Sequence, residues 1–294
     1  LEKLESMNVP YYLQSLVKAF LVDRQQYVRI GNSKSSTLNC DIGCPQGCVL
    51  SPVLFSIYTD FIKSTSEKVK IFKYADDMAI VGFLNFKDPS TSYPYFESVQ
   101  NFVEQCASVN LFINSTKTKE MVVNFSRTYG IYDYLFINGS PIERVDTFKY
   151  LGTFFDSNLK WQSNTDYIYG KLKQRFYAFS RFKHFKPDKS QRDYFIASLI
   201  QPIFSYNIEL WFNYATVTQK EKLLYPFERN DFYLDANFFV QERVKKAALN
   251  FICDQNHVLN SCYETNRNFY RMPRTRTNRF LESFIPFSIQ LLNN

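Results

Sequence analysis

Glycine is scarce in this chain of 294 residues, with 8 in all, and no hydrophobic run approaches the length that spans a bilayer. The few glycines are therefore expected where the backbone demands them. Six cysteines (Cys40, Cys44, Cys48, Cys106, Cys253, Cys262) follow no secreted-domain framework, and no signal-peptide pattern is present. They read as reduced thiols of an intracellular protein, nuclear or cytoplasmic, with no membrane association. Cys253, His257 and Cys262 stop at three potential zinc ligands and lack closely paired cysteines. Also missing are a Ser/His/Asp triad, a Gly-rich nucleotide loop, an endonuclease signature, internal repeats and low-complexity tracts. What is there is a globular profile, 45% hydrophobic and 21% charged, long enough for one large domain or two smaller ones. A net charge of +7 favours a polyanionic partner. Aromatic residues reach 18%, mostly Phe and Tyr, a supply of stacking surfaces that biased codon usage would equally produce.

The stretch with most chemistry in it is KIFKYADDMAIVGF, Lys70 to Phe83. Two β-prone runs, Val69 to Tyr74 and Met78 to Phe83, flank Asp76 and Asp77, which reads as a β-hairpin with two carboxylates at its tip. Side chains alternate along a strand, so one aspartate can reach into a cleft while the other stays at its edge. Paired carboxylates on a rigid hairpin suit hard cations such as Mg²⁺. An Asp-Asp pair is also ordinary turn material, so the reading depends on its neighbour upstream, GCPQGCVLSP, Gly43 to Pro52.

Along the chain, Leu13, Leu16, Val17, Phe20 and Leu21 recur at helical spacing after Pro10. Residues 23–43 read as a hairpin leading into the Gly43–Gly47 loop. Leu50, Val53, Leu54, Ile57, Tyr58, Phe61 and Ile62 predict a helix of about three turns, with Pro52 tolerated in its first turn. Phe96, Val99, Phe102, Val103, Cys106 and Ala107 predict another. Glu120 to Phe125 reads as a strand, Tyr134 to Val145 as a hairpin turning at Asn138-Gly139, and Phe148 to Phe155 as a strand pair broken at Gly152. From Trp161 the pattern becomes helical, with Ile168, Leu172, Phe176 and Phe179, then Tyr194 to Trp211 broken or kinked near Pro202. The organisation changes near Asp156.

Taken in order, GCPQGCVLSPVLFSIYTD, YADDMAIVG, INSTKTKEMVVNF and FKYLGTFFDSNLKW resemble motifs B, C, D and E of the reverse transcriptases of non-LTR retrotransposons, the LINE type. The helices after Trp161 look like that family's thumb, and RTNRFLESFIPFSIQLLNN like the end of its reading frame. The resemblance implies an α+β right-hand polymerase palm over 1–155, a helical thumb over 156–215 and a basic C-terminal segment of helical or irregular structure over 216–294. It implies RNA-templated DNA synthesis on an RNA template and DNA primer from dNTPs, with two Mg²⁺ ions. Asp76 matches the stronger metal ligand and Asp77 the weaker. Pro45, Gln46 and Gly47 would border nucleotide and template, where a glycine lets the backbone approach a base pair and the Gln46 amide can donate and accept. Lys117 matches a lysine set beside the pyrophosphate, and Tyr150, Leu151 and Gly152 fall in the primer grip.

The family's motif A carries a further metal-binding aspartate. The opening residues, LEKLESMNVPYYLQSLVKAFLVDRQQYV, resemble the segment that follows it, so the chain is expected to lack that strand and the fingers. Asp23, Asp41 and Asp60 do not have the context to replace it. Two carboxylates leave a metal pair under-coordinated, and the chain alone is expected not to polymerise. The hairpin should then show an open sheet edge. Eight basic residues from Lys171 to Arg192 face one acid, Asp188, and Lys171, Lys173, Arg175, Arg181 and Lys183 are the candidates for phosphate contact. Arg267, Arg271, Arg274, Arg276 and Arg279 suit either RNA contact or a solvated tail. Two other readings stand beside the polymerase: a non-catalytic module that binds RNA or an RNA–DNA duplex, and an inert translated fragment.

Overall fold

Antiparallel hairpins and helices alternate through the first half of the chain, and helices dominate the second, in the computed structural model. It describes residues 1–40, 42–85, 88–124, 133–230, 232, 234–266, 269–274 and 277–293. The chain forms two compact units, one of Leu1–Thr118 with Arg127–Glu143, the other of Lys119–Ser126 with Arg144–Asn294.

In the first unit, α1 (Glu2–Ser6) and α2 (Tyr11–Leu21) precede two short ribbons. Pro10 caps α2 and its apolar spacing is helical, yet none of its residues is buried, with Leu16 64% exposed. The hairpin expected over 23–43 is present. β1 (Arg24–Gln26) pairs with β4 (Leu38–Cys40), and β2 (Arg29–Ile30) with β3 (Ser33–Lys34) around Gly31. α3 (Leu50–Tyr58) is shorter than its apolar spacing predicts. Thr59 ends it by turning its hydroxyl back onto the Phe55 carbonyl, while the Lys73 ammonium takes the Thr59 carbonyl at 2.8 Å, an acceptor a longer helix would need. Ile62 is still buried, but outside helix.

β5 (Val69–Tyr74) and β6 (Asp77–Gly82) pair antiparallel from Val69↔Gly82 to Tyr74↔Asp77. Among the described residues this ribbon has two strands only, so both of its edges are open where one open edge is expected. α4 (Tyr93–Ser108) packs on one face, where Ile80 joins Val99 and Val103 in a cluster with Leu135, Ile137 and Ile142. Gly82 lets α4 approach, since a Cβ there would lie 2.7 Å from the Tyr95 ring. The strand expected over Glu120 to Phe125 shortens to β7 (Lys119–Glu120), which pairs with β10 (Glu143–Arg144); Phe125 lies outside the described residues. Between them β8 (Phe136–Ile137) and β9 (Ser140–Pro141) turn at Asn138-Gly139, whose φ values of 50° and 73° are those of a type I′ turn.

In the second unit, β11 (Thr147–Tyr150) and β12 (Thr153–Asp156) form a hairpin, followed by the 22-residue α5 (Gln162–Lys183). Ile168, Leu172, Phe176 and Phe179 are the buried face of α5, as their spacing requires. α6 (Lys189–Phe195), a π-helical turn over Ile196–Ile200 and α7 (Gln201–Ser205) run on as one rod. Pro202 offers no N–H and crowds the carbonyl four residues back, which accounts for the π turn beside it. The break falls instead at Asn207 (φ 49°), ahead of α8 (Ile208–Trp211). α9 (Val217–Glu228) and α10 (Ala236–Cys253) complete a core in which Leu172, Ile200, Phe204, Ile208, Trp211 and Val244 are fully buried, each contributing about 1.5–3 kcal/mol. After the ribbon of β13 (Thr265–Asn266) and β14 (Phe269–Tyr270) and the short α11 (Asn278–Leu281), α12 (Phe284–Asn293) buries Ile289 against Ala248 and Tyr263. Among the described residues no helix is long and apolar enough to cross a membrane.

Candidate active site

The β5–β6 register fixes the two acids. Tyr74 opposes Asp77, so Ala75 and Asp76 are the whole turn. Ala75 has φ 51°, a left-handed conformation that disfavours a side chain, and the tight turn stores that strain at its tip. Cross-strand partners share a face, which puts Asp77 with Tyr74, Phe72 and Val81, all exposed, while Ile80 faces α4. Both carboxylates are exposed and neither has an intramolecular partner among the described residues. The nearest strand cation, Lys73, is held by the Thr59 carbonyl. The two carboxylates offer exposed oxygen donors of the kind a hard divalent cation takes. The remaining positions of an octahedral ion would fall to other oxygens. Among the described residues no third His, Cys, Asp or Glu joins them.

Asp60 instead pairs with Lys3 at 3.3 Å, and the hydrogen bond and charge of Lys3 hold its carboxyl below the usual range. Asp23 is exposed in the link after α2. Asp41 lies outside the described residues. In the PQG loop Pro45 is half-buried and its carbonyl accepts from the Ser51 hydroxyl at 2.5 Å. Gln46 is exposed, and Gly47 (φ 78°) has open space where a Cβ would be, so a ligand could approach its backbone. The guanidinium of Arg24 braces the start of this loop, donating to the carbonyls of Leu21 at 3.0 Å, Ile42 at 3.1 Å and Gly43. Sequence reading missed Arg24, because its partners are backbone atoms up to 19 residues away.

Lys117 is exposed in a turn organised by Asn114, whose side chain accepts from the Lys117 N–H at 3.1 Å and the Thr116 hydroxyl at 2.6 Å. The Asn of the N-x-x-K-T run therefore shapes the turn that displays the lysine.

In the second unit the turn of the β11–β12 hairpin is Leu151-Gly152, with φ 45° and 84°, following the half-buried Tyr150. Tyr206, which sequence reading missed, donates its phenol to the Leu151 carbonyl at 2.6 Å. The basic residues of α5 are all exposed, but they occupy its whole solvent arc rather than one stripe. At 100° per residue Lys171 and Arg175 share one flank of the buried face, Lys173 lies on the other, and Arg181 projects opposite it. Lys183 is bound to the Asn230 side chain at 3.2 Å. Asp166 is matched to Lys222 at 2.8 Å, and the hydrogen bond of Lys222, with that of Gln162, lowers its pKa. His257 stacks on Phe251 and accepts the Leu259 N–H, while Cys253 and Cys262 are exposed. Of the tail arginines, Arg271 meets Glu264 at 3.7 Å and Arg274 is exposed; Arg267, Arg276 and the Arg279 side chain lie outside what is described.

Residues 1–155 match the family model described as reverse transcriptase (RNA-dependent DNA polymerase). The RNA-directed DNA polymerase from the mobile element jockey of Drosophila melanogaster is 31% identical over 159 residues, 51% of this chain and 17% of that protein. The probable RNA-directed DNA polymerase from transposon BS of the same species is 25% identical over 213 residues, 69% of this chain and 23% of that protein. The corresponding enzyme of jockey in Drosophila funebris is 30% identical over 169 residues, 55% of this chain and 18% of that protein. The chain thus spans about a fifth of the length of these relatives. The chain belongs to the reverse transcriptase (RNA-dependent DNA polymerase) family, in its non-LTR retrotransposon, LINE-type branch.

Proposed function

We propose that this chain is palm and thumb of a LINE-type reverse transcriptase, working inside the cell on an RNA template, a DNA primer and dNTPs. In this reading 1–155 is the partial palm, 156–215 the thumb and 216–294 a C-terminal segment. The observation that carries it is the pair Asp76 and Asp77, exposed and, among the described residues, without an intramolecular partner, on the turn of a hairpin whose Ile80 packs against α4. Asp76 is the stronger ligand and Asp77 the weaker. Mg²⁺ bound there would activate the primer 3′-hydroxyl and neutralise the leaving pyrophosphate. Lys117 offers an exposed ammonium for the same phosphates. Gln46 and the open backbone at Gly47 border the incoming nucleotide, and the Tyr150–Gly152 turn holds the primer end. Lys171, Lys173, Arg175, Arg181 and Lys183 meet nucleic-acid phosphates.

Two carboxylates supply fewer oxygens than a pair of ions requires, so this chain by itself is expected to bind an RNA–DNA hybrid without extending it. Primer extension on an RNA template with Mg²⁺, run beside Asp76→Ala, tests this. Both proteins should bind hybrid and neither should incorporate nucleotide. Incorporation that depends on Asp76 would show the chain to be a complete catalyst, and failure to bind hybrid would remove the polymerase reading. The want of a third acid among the described residues also favours a second reading, a hybrid-binding remnant without catalysis. Mn²⁺ relaxation enhancement that is lost in Asp76→Ala would speak against that one.

A further inference from the structure

Lys149 on β11 and Lys171 on α5 converge on one tyrosine. The Lys149 ammonium donates to the Tyr167 hydroxyl at 2.9 Å and lies 4.5 Å from the ring centre. The Lys171 ammonium lies 4.5 Å from the same centre. The two charges are therefore at most about 9 Å apart, whichever side of the ring each takes. Tyr167 is half-buried, packed on the main core of the unit and edge-on to Phe154 at 5.0 Å, so the post on which both lysines rest is fixed. Among the described residues neither lysine has a carboxylate partner, and Asp166 next door is held by Lys222. The hydrogen bond from Lys149, then that from Lys171, holds the phenol below its ordinary pKa.

Ordinary surface lysines separate from like charge and take rotamers freely. Here two are gathered on one ring, and among the described residues no carboxylate pairs with either. A phosphodiester shares one negative charge over two non-bridging oxygens, which can accept from two ammoniums up to about 8 Å apart, and that charge relieves their repulsion.

We propose that Lys149, Tyr167 and Lys171 form a clamp for a single backbone phosphate of a nucleic-acid strand. The lysines hold the phosphate and Tyr167 is the positioning residue. The clamp rests on the proposed function, in which this unit meets nucleic acid, and it narrows that contact from a diffuse basic surface to one linkage.

The test is fluorescence anisotropy of the full chain with a labelled RNA–DNA hybrid over a range of KCl. Lys149→Gln and Lys171→Gln should each weaken binding roughly threefold to tenfold and lower the salt slope by about one. The double variant should lose clearly less than the product of the two. Lys246→Gln, an exposed cation on α10, is the charge-matched control and should change binding less than about twofold. Tyr167→Phe should weaken binding while leaving both charges in place, and Lys149→Arg should restore most of the affinity. Replacing linkages one at a time by methylphosphonate should reveal one position that matters to the wild type and not to the double variant. Free phosphate at constant ionic strength should compete only weakly. Additive losses at separate linkages, a control as damaging as the lysines, or displacement by free phosphate would overturn the clamp while leaving hybrid binding intact. Absence of hybrid binding by the wild type would bring down the broader reading as well. Thermal melts of each variant separate these results from misfolding.

Discussion

Gly152→Ala is the perturbation whose size can be worked most directly. Gly152 has φ 84°, so any side chain there adopts the left-handed region at a cost of about 1–2 kcal/mol. Its new Cβ would stand 3.2 Å from Cε1 of Tyr206, closer than carbon atoms pack comfortably. The tyrosine could swing away, since its ring is about half exposed, but its hydroxyl is tied to the Leu151 carbonyl at 2.6 Å. Moving the ring breaks that bond, worth about 1 kcal/mol. The total is about 2–3 kcal/mol, read as a lower denaturant midpoint with unchanged slope. A cycle with Tyr206→Ala isolates the second part. Without the ring, Gly152→Ala should cost only the conformational part, so the two substitutions should couple by about 1 kcal/mol. Equal losses in both backgrounds would refute the crowding argument. A Gly152→Ala protein as stable as the wild type would refute the turn geometry itself.

Ala75→Gly should stabilise the first unit by up to about 1 kcal/mol, because glycine accepts φ 51° without strain; a loss of stability in urea would mean that the turn does not adopt this conformation. Arg144→Leu should cost about 3 kcal/mol by leaving Glu120, 7% exposed, without the guanidinium that holds it at 2.7 Å. The double variant with Glu120→Leu should recover most of that loss, and additivity of the two would contradict the pairing.

The elements that declared themselves in the sequence are those whose signal is local. Asn138-Gly139 specified its turn because both residues accept positive φ, and the spacing of Ile168, Leu172, Phe176 and Phe179 specified the buried face of α5 because helical packing repeats at 3.6 residues. The apolar spacing overextends α3 because Phe61 and Ile62 keep the period while Thr59 and Lys73 end the helix, and Lys73 lies 14 residues beyond Thr59. The break falls at Asn207 and not at Pro202 for a related reason: the π turn over Ile196–Ile200 absorbs the proline and the rod runs on. Burial was least legible. α2 has the pattern of a packed helix, yet Val17, Phe20 and Leu21 are only half-buried and Leu16 is exposed, so periodicity tells which residues share a face but not what covers it.

The candidate site divides along the same line. Asp76 and Asp77 could be found because a charged pair between two apolar, β-prone runs marks a turn, and their register follows from the lengths of those strands. The groups that hold the surroundings in place, Arg24 under the PQG loop and Tyr206 on the Leu151 carbonyl, could not, because each acts on backbone carbonyls that every residue possesses. Charge counting drew attention to α5 but treated its cations as equal. Geometry separates them: Lys183 is bound by Asn230, Lys173 lies over the Tyr169 ring beside Lys222, which Asp166 pairs, and Lys171 meets Lys149 from another element. A basic cluster raises the local potential wherever its members point, whereas recognition of one phosphate needs two donors fixed at one spacing. Both donors rest on Tyr167, a residue outside any count of acidic and basic side chains and therefore invisible to composition.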